Sequence, residues 1–273
     1  YNMVDTAVVG KFVGEDAVAA VGSSFPIVFL SVAVASGLSM GCTVVVSQLF
    51  GAGRIHEMKT TISTAIISLG VLGLLIMGLG TLLAGPLLQL LGTDPDIMAD
   101  SRTYLQIYFG GAVFLFLYNT LNGIYNAQGD SKTPLIFLMI SSLTNIVLDL
   151  LFVIRFGWGI PGAAAATLLA QLFAFAYCVI ALRKIPSASV EKPDWQPDSS
   201  VIRRLCHLGL PLALQHFVIV ISGIIMQAVI NTCGFVFLAG FTATNKLHGL
   251  IDCSASAFGY AASTYTGQNW GAN

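Results

Sequence analysis

The sequence predicts an all-α, polytopic membrane protein, and three observations lead there. Of the 273 residues, 56% are hydrophobic and 9% charged, where a soluble domain carries about 25% charged residues. The charges are also gathered at intervals. None lies between Asp16 and Arg54, Lys59 and Asp94, Arg102 and Asp130, Arg155 and Arg183, or Arg204 and Lys246, and each gap exceeds the ~20 apolar residues that cross a bilayer as a helix. Inside the gaps the apolar residues run together, as in the stretch from Ile66 to Met77, where barrel strands would alternate apolar with polar. A net charge of −1 leaves no basic field for nucleic acid.

Charged and Gly/Pro-rich clusters mark the segment ends, and eight helices follow in order. The first, 1–10, is half a span and begins at Tyr1 without a methionine, so its start is expected to lie outside this sequence. The second, 17–50, opens after Glu15-Asp16 and closes at Gly51-Ala52-Gly53, and the third, 60–90, starts beyond Lys59. The fourth, 102–127, ends at the turn Gly129-Asp130-Ser131-Lys132-Thr133-Pro134. That turn reads as a helix start with Ser131 or Thr133 as cap and Pro134 early in the fifth helix, 133–155. The sixth, 161–183, follows Gly157-Trp158-Gly159, the seventh, 203–232, opens with Arg203-Arg204, and the eighth is 237–268.

Connections near 53–59, 128–134 and 183–204 hold Arg54, Lys59, Lys132, Arg183, Lys184, Lys192, Arg203 and Arg204. The alternate ones hold only Lys11, Arg102, Arg155 and Lys246, so the first set is expected to face the cytoplasm of a multi-pass cell-membrane protein, the inner membrane of a bacterium. Residues 185–199, with Pro186, Pro193 and Pro197, form the only polar linker of any length. They divide a first lobe, 1–184, from the start of a second, 200–273. A shift of 220 residues lays Gln48, Gly51 and Ala52 on Gln268, Gly271 and Ala272, and Ala35-Ser36 on Ala255-Ser256. Six spans separate the copies, an even number, so the lobes form a parallel repeat of six-helix units. Most of the second lobe is then expected to lie beyond this sequence.

Among the acidic residues only Asp5, Asp149 and Asp252 sit inside apolar spans. A charge at the bilayer centre costs about 2.5–3.5 kcal/mol on insertion scales, so each calls for a reason, whether an interfacial position, backbone donors or function. Asp149 lies four residues after Asn145, which puts both on one helix face. Asp252, near Lys246 and His248, makes with His248 a candidate polar site in the second lobe. Two apparent motifs carry no nucleotide chemistry. Residues 157–162 fit G-x-G-x-x-G but join two membrane helices without a βαβ unit, and 129–134 lack phosphate-loop spacing. Cys42, Cys178, Cys206, Cys233 and Cys253 are scattered and read as small buried residues. No histidines pair at metal-ligand spacing, and no constellation suggests an enzyme.

These residues resemble the multidrug and toxic compound extrusion (MATE) family of the multidrug/oligosaccharidyl-lipid/polysaccharide exporter superfamily. The matching pieces are residues 1–10 around Asp5, Gln48-Leu49-Phe50-Gly51-Ala52, residues 129–134, Asn145 to Asp149, and Gly162-Ala163-Ala164-Ala165-Ala166-Thr167, spread over the chain in family order. The resemblance implies two six-helix lobes that open alternately to the two sides, as a monomer, exporting amphipathic organic cations against entry of protons or sodium ions, with no further cofactor. It also implies a cation-coupling site of Asp5, Asn145, Asp149 and Thr167. The physical logic agrees: a desolvated carboxylate can take a proton, and Asn and Thr add neutral oxygens.

The sodium-coupled branch is less similar, because it carries a glutamate in its seventh helix, and Leu210 to Val220 contain no acid. The proton-coupled DNA-damage-inducible-F-like branch is the closer resemblance. A lipid-linked precursor or polysaccharide flippase of the same superfamily is the alternative. Such a protein should line its cavity with several Arg or Lys, and none lies deep in these spans.

Overall fold

The computed structural model describes residues 2–182, 185, 188–190, 195–231 and 235–272. These residues are helical with short connections, and no strand occurs among them. The helices are α1 (Asn2–Phe12), α2 (Glu15–Gly51), α3 (Ile55–Leu90), α4 (Met98–Gly110), α5 (Ala112–Ala127) and α6 (Lys132–Asp149). A π-helical turn, Leu150–Arg155, prolongs α6, followed by α7 (Gly159–Leu182), α8 (Ser199–Asn231) and α9 (Phe235–Ala272). Five spans are long and apolar enough to cross a membrane, and α4 with α5 makes a sixth that is bent by 47°.

That bend is the main departure from the expected helix 102–127. Gly110 and Gly111 fall at the break, and Leu168 and Gln171 of α7 press against Gly111, where a Cβ would stand 3.2 and 3.3 Å from them. The chain turns there through tighter bonds, Gly111 N–H to Tyr108 O and Phe114 N–H to Gly111 O, both 3.0 Å. Two paired glycines supply the freedom for such a kink.

Two cores stack along the first bundle. One joins α1, α2, α4 and α7 through Val9, Val21, Tyr104, Leu105 and Ala163. The other joins α2, α3, α5 and α7 through Val46, Met58, Ile62, Tyr125 and Cys178. Ala188, with Ile185 and Val190, packs into the second core, and Asp198 N–H donates to Thr64 Oγ1 at 3.2 Å. The described part of the expected polar linker is therefore docked on the bundle by its few apolar side chains.

Ser131 stands at the N-cap of α6, as one of the two expected residues, but its side chain makes no capping bond; the Asp130 carboxylate accepts from Thr133 N–H at 3.0 Å instead. Its reach of three residues satisfies an amide that a helix start leaves unpaired. Cys42 and Cys178 are buried, but Cys206 is exposed because it lies on the outer side of α8; the side chains of Cys233 and Cys253 lie outside the described residues. As expected, the 157–162 stretch joins two helices: Gly157 and Trp158 form the connection, α7 begins at Gly159, and Gly157 and Gly159 take positive φ, 66° and 56°.

The helices α8 and α9 lie across α2, and small residues set how close they come. A Cβ on Gly41 would stand 2.6 Å from the backbone of Gly209, and Gly37 meets the backbone of Ala213. At the far end the contact is reciprocal: Gly51 lies against the Gln268 carbonyl and Gly271 against the Gln48 carbonyl. These are the positions that the 220-residue shift superimposes. Arg204 Nη2 donates to Gln48 Oε1 at 2.6 Å, and Gln268 Nε2 to the Ala127 carbonyl at 2.7 Å.

Candidate functional site: a buried carboxylate cluster

Along α6 the usual amphipathic rule is inverted. Its buried residues are Pro134, Ser141, Asn145 and Asp149, while Ile136, Met139, Leu143 and Val147 are more than half exposed. The polar residues recur every four positions, so they form one stripe facing the bundle, with apolar side chains left for lipid. Ser141 Oγ donates to the Ala170 carbonyl at 2.9 Å and ties the stripe to α7. Directly after Asp149 the winding changes to the π-helical turn, a local change of register often found at functional sites.

Opposite this stripe, α7 presents Gly162, Ala163, Ala166, Thr167 and Ala170, all buried. Such small residues let α1 and α6 approach closely. Thr167 Oγ1 donates to Asp5 Oδ2 at 2.9 Å and accepts from Asn145 Nδ2 at 3.4 Å. A single hydroxyl thus links α1, α6 and α7. Asp5, Asn145 and Asp149 are each 0% exposed, and Asp149 lies within interacting reach of Asp5.

What these groups lack is as informative as what they bind. Asp5 Oδ1, Asn145 Oδ1 and both carboxylate oxygens of Asp149 are buried without a hydrogen-bond partner among the described residues. Two neighbouring carboxylates with bare oxygens out of water are strongly disfavoured unless a proton or a cation sits with them. The arrangement can therefore bind and release one positive charge.

The four residues expected to form the coupling site, Asp5, Asn145, Asp149 and Thr167, are brought together. Asp252 and His248 are exposed on α9 and take no part in this buried cluster. Tyr104 of α4 was not anticipated. Its ring is fully buried, its hydroxyl has no partner among the described residues, and it lies within electrostatic reach of Asp5 and Asp149. The available signal was its spacing, since Ser101, Tyr104 and Tyr108 recur on one face of an apolar helix.

Fold and site together define a multi-pass helical membrane protein with an ionisable cluster sealed inside one bundle. The MatE family model matches residues 1–151, and the chain belongs to that family, the MATE transporters. The family model of the lipid II flippase MurJ also matches, over residues 93–239. Two relatives from Bacillus subtilis (strain 168), the probable multidrug resistance proteins YpnP and YoeA, are 33% and 29% identical. The alignments cover 99% and 100% of this chain and 61% and 60% of theirs. A crystal structure of a MATE protein in a bent conformation superposes with a TM-score of 0.93 at 25% identity, over 100% of this chain and 61% of that one. The chain thus spans about 61% of the length of such relatives.

Proposed function

We propose that this chain carries the cation-coupling lobe of a secondary active exporter, an antiporter that moves amphipathic organic cations out of the cell by alternating access. The observation that carries the reading is the pair Asp5 and Asp149, buried together with carboxylate oxygens that no described group satisfies. A proton entering from outside would cancel one of the pair's two negative charges, weaken the counter-charge of a bound cation and so favour its release. By linkage, cation binding must lower proton affinity at the same site. The absence of an acid from Leu210 to Val220 favours protons over sodium as the coupling ion. The names of YpnP and YoeA support multidrug compounds as cargo.

Efflux of a cationic dye from cells expressing the transporter tests the proposal, with expression checked for every variant. Asp5→Asn and Asp149→Asn should insert normally and lose gradient-driven efflux, because asparagine fits the space without titrating. Thr167→Ala should lose less, since the hydroxyl supplies one ligand and no charge. Wild-type efflux in both aspartate variants would overturn the reading.

The MurJ match over residues 93–239 favours a second reading, movement of a lipid-linked precursor. A diphosphate head would call for Arg or Lys in the cavity, and the residues lining the cavities between α2, α5, α7 and α9 include none. Stimulation of lipid-linked oligosaccharide translocation in vesicles, without dye efflux, would decide for that reading.

A further inference from the structure

Residues 157–162, a glycine motif without nucleotide chemistry, connect the two helices that carry Asp149 and Thr167. Three aromatic side chains gather at this connection. The ring centroids stand 5.9 Å apart for Phe152 and Phe156, 4.9 Å for Phe152 and Trp158, and 5.4 Å for Phe156 and Trp158, separations at which rings attract one another. Phe152 is buried, while Phe156 and Trp158 are half exposed. The backbone closes the same knot. Trp158 N–H donates to Phe152 O at 2.9 Å, and Phe156 N–H to Leu151 O at 3.0 Å, the second with the five-residue reach of a π-helical turn.

Gly162 of α7 receives this knot. A Cβ there would stand 3.0 Å from Trp158 Cβ and 3.2 Å from Phe152 Cβ, so a side chain would push both away from α7. Gly159 in turn lies against Val13, just beyond the end of α1, where a Cβ would meet Val13 Cγ1 at 3.7 Å. The aromatic triad thus joins the ends of the three elements that bear Asp5, Asp149 and Thr167.

Within the carboxylate cluster the residues are not held alike. Asp5 and Asn145 are each bonded to Thr167, but neither carboxylate oxygen of Asp149 has a partner among the described residues. No hydrogen bond fixes Asp149 beside Asp5, and like charges would drive it away. Its place is left to the backbone, and the backbone directly after it is the wide turn that the triad ties down. In that turn Phe152 and Val153 are buried, while Leu150, Leu151 and Ile154 are exposed.

We propose that Phe152 and Trp158, seated on Gly162, are positioning residues for Asp149: this aromatic latch holds the wide turn in the register that keeps the carboxylate inside the cluster. An α-helix takes fewer residues over the same turn, so a turn released by its rings relaxes and rotates Asp149 toward water. The consequence for transport rests on the coupling reading; the placement of Asp149 does not.

Infrared difference spectroscopy of the purified transporter, between acid and neutral pH, reads that placement. The protonated carboxyl band of Asp149 is identified by its loss in Asp149→Asn. Trp158→Ala should move the band toward the frequency of a hydrated acid and lower gradient-driven dye efflux roughly tenfold, as misplacement of a reacting group does. Trp158→Phe, which keeps a ring, should leave the band in place and efflux within about twofold of the wild type. Gly162→Ala, which lifts the rings from α7 without removing them, should shift the band in the same direction by less. Leu150→Ala, on the exposed side of the same turn, should change neither readout. An unmoved band in both Trp158→Ala and Gly162→Ala, or an equal shift in Leu150→Ala, would overturn the inference. Wild-type efflux in Asp149→Asn would sink the coupling reading alone, because the band still reports where Asp149 sits.

Discussion

Asp5 and Thr167 stand 162 residues apart in sequence and 2.9 Å apart in space, yet half of that contact could be foreseen. A carboxylate in an apolar span is an anomaly because of its insertion cost, and Asp5 and Asp149 were legible for that reason, with Asn145 legible by its helical spacing. Thr167 came only from the family resemblance, and Tyr104 and Ser141 not at all. A serine or threonine hydroxyl in an apolar helix can bond its own backbone and so costs little to insert, and a tyrosine ring is itself largely apolar, which leaves no anomaly of charge to read. Asp130 offers a test outside the membrane. Burial works against its ionisation, but hydrogen bonds from the Thr133 side chain and amide, with the Lys132 amide and charge, hold its carboxyl below the ordinary value. Asp130→Ala should therefore cost about 1 kcal/mol of stability at neutral pH, the usual worth of a helix cap. Because the folded state binds that proton less tightly, the contribution is complete above the ordinary carboxylate value and disappears as pH falls through the lowered one. Thermal unfolding in detergent at neutral and strongly acid pH would show the difference between variant and wild type shrinking in acid.

Among the elements, α2 carries the heaviest demand, since α8 and α9 cross it at backbone distance. Gly41→Leu should destabilise by about 1–3 kcal/mol, the cost of overpacking a close contact, because its new side chain would meet the Gly209 backbone. Gly22→Ala is the control. Nothing lies within 4 Å of that position, and the change should be neutral or gain about 0.5–1 kcal/mol, as Ala does over Gly inside a helix. Denaturation of the two variants in parallel separates close packing from a general effect of glycine replacement. The Gln-x-x-Gly repeat was visible as a sequence match and read as a sign of parallel lobes, but neither the crossing nor its reciprocal packing could be read from it, since both depend on tertiary placement. The break at Gly111 was hidden for a similar reason: apolar character continues from α4 into α5, and only the α7 residues pressing on Gly111 reveal the bend. The docked linker was obscured by its prolines and charges, which outnumber Ile185, Ala188 and Val190.

For the whole molecule, the charge-free gaps located the spans because inserting a charge is costly wherever it occurs, whereas orientation rests on a count of Lys and Arg. A reporter fused after Lys132 should be cytoplasmic and one inserted near Asp96 external; the opposite labelling would reverse the assigned orientation. That sidedness matters because the proposed proton enters from the outside to reach Asp5 and Asp149. On the proposed reading one positive charge, proton or substrate, occupies this carboxylate pair at a time. Proton release on binding of a cationic dye to the purified transporter, followed by a pH indicator in weak buffer near neutral pH, measures this directly. Release by the wild type, and its loss in Asp5→Asn and in Asp149→Asn, is the expected result. Undiminished release in both variants, or dye binding without any proton release at every pH tried, would contradict it.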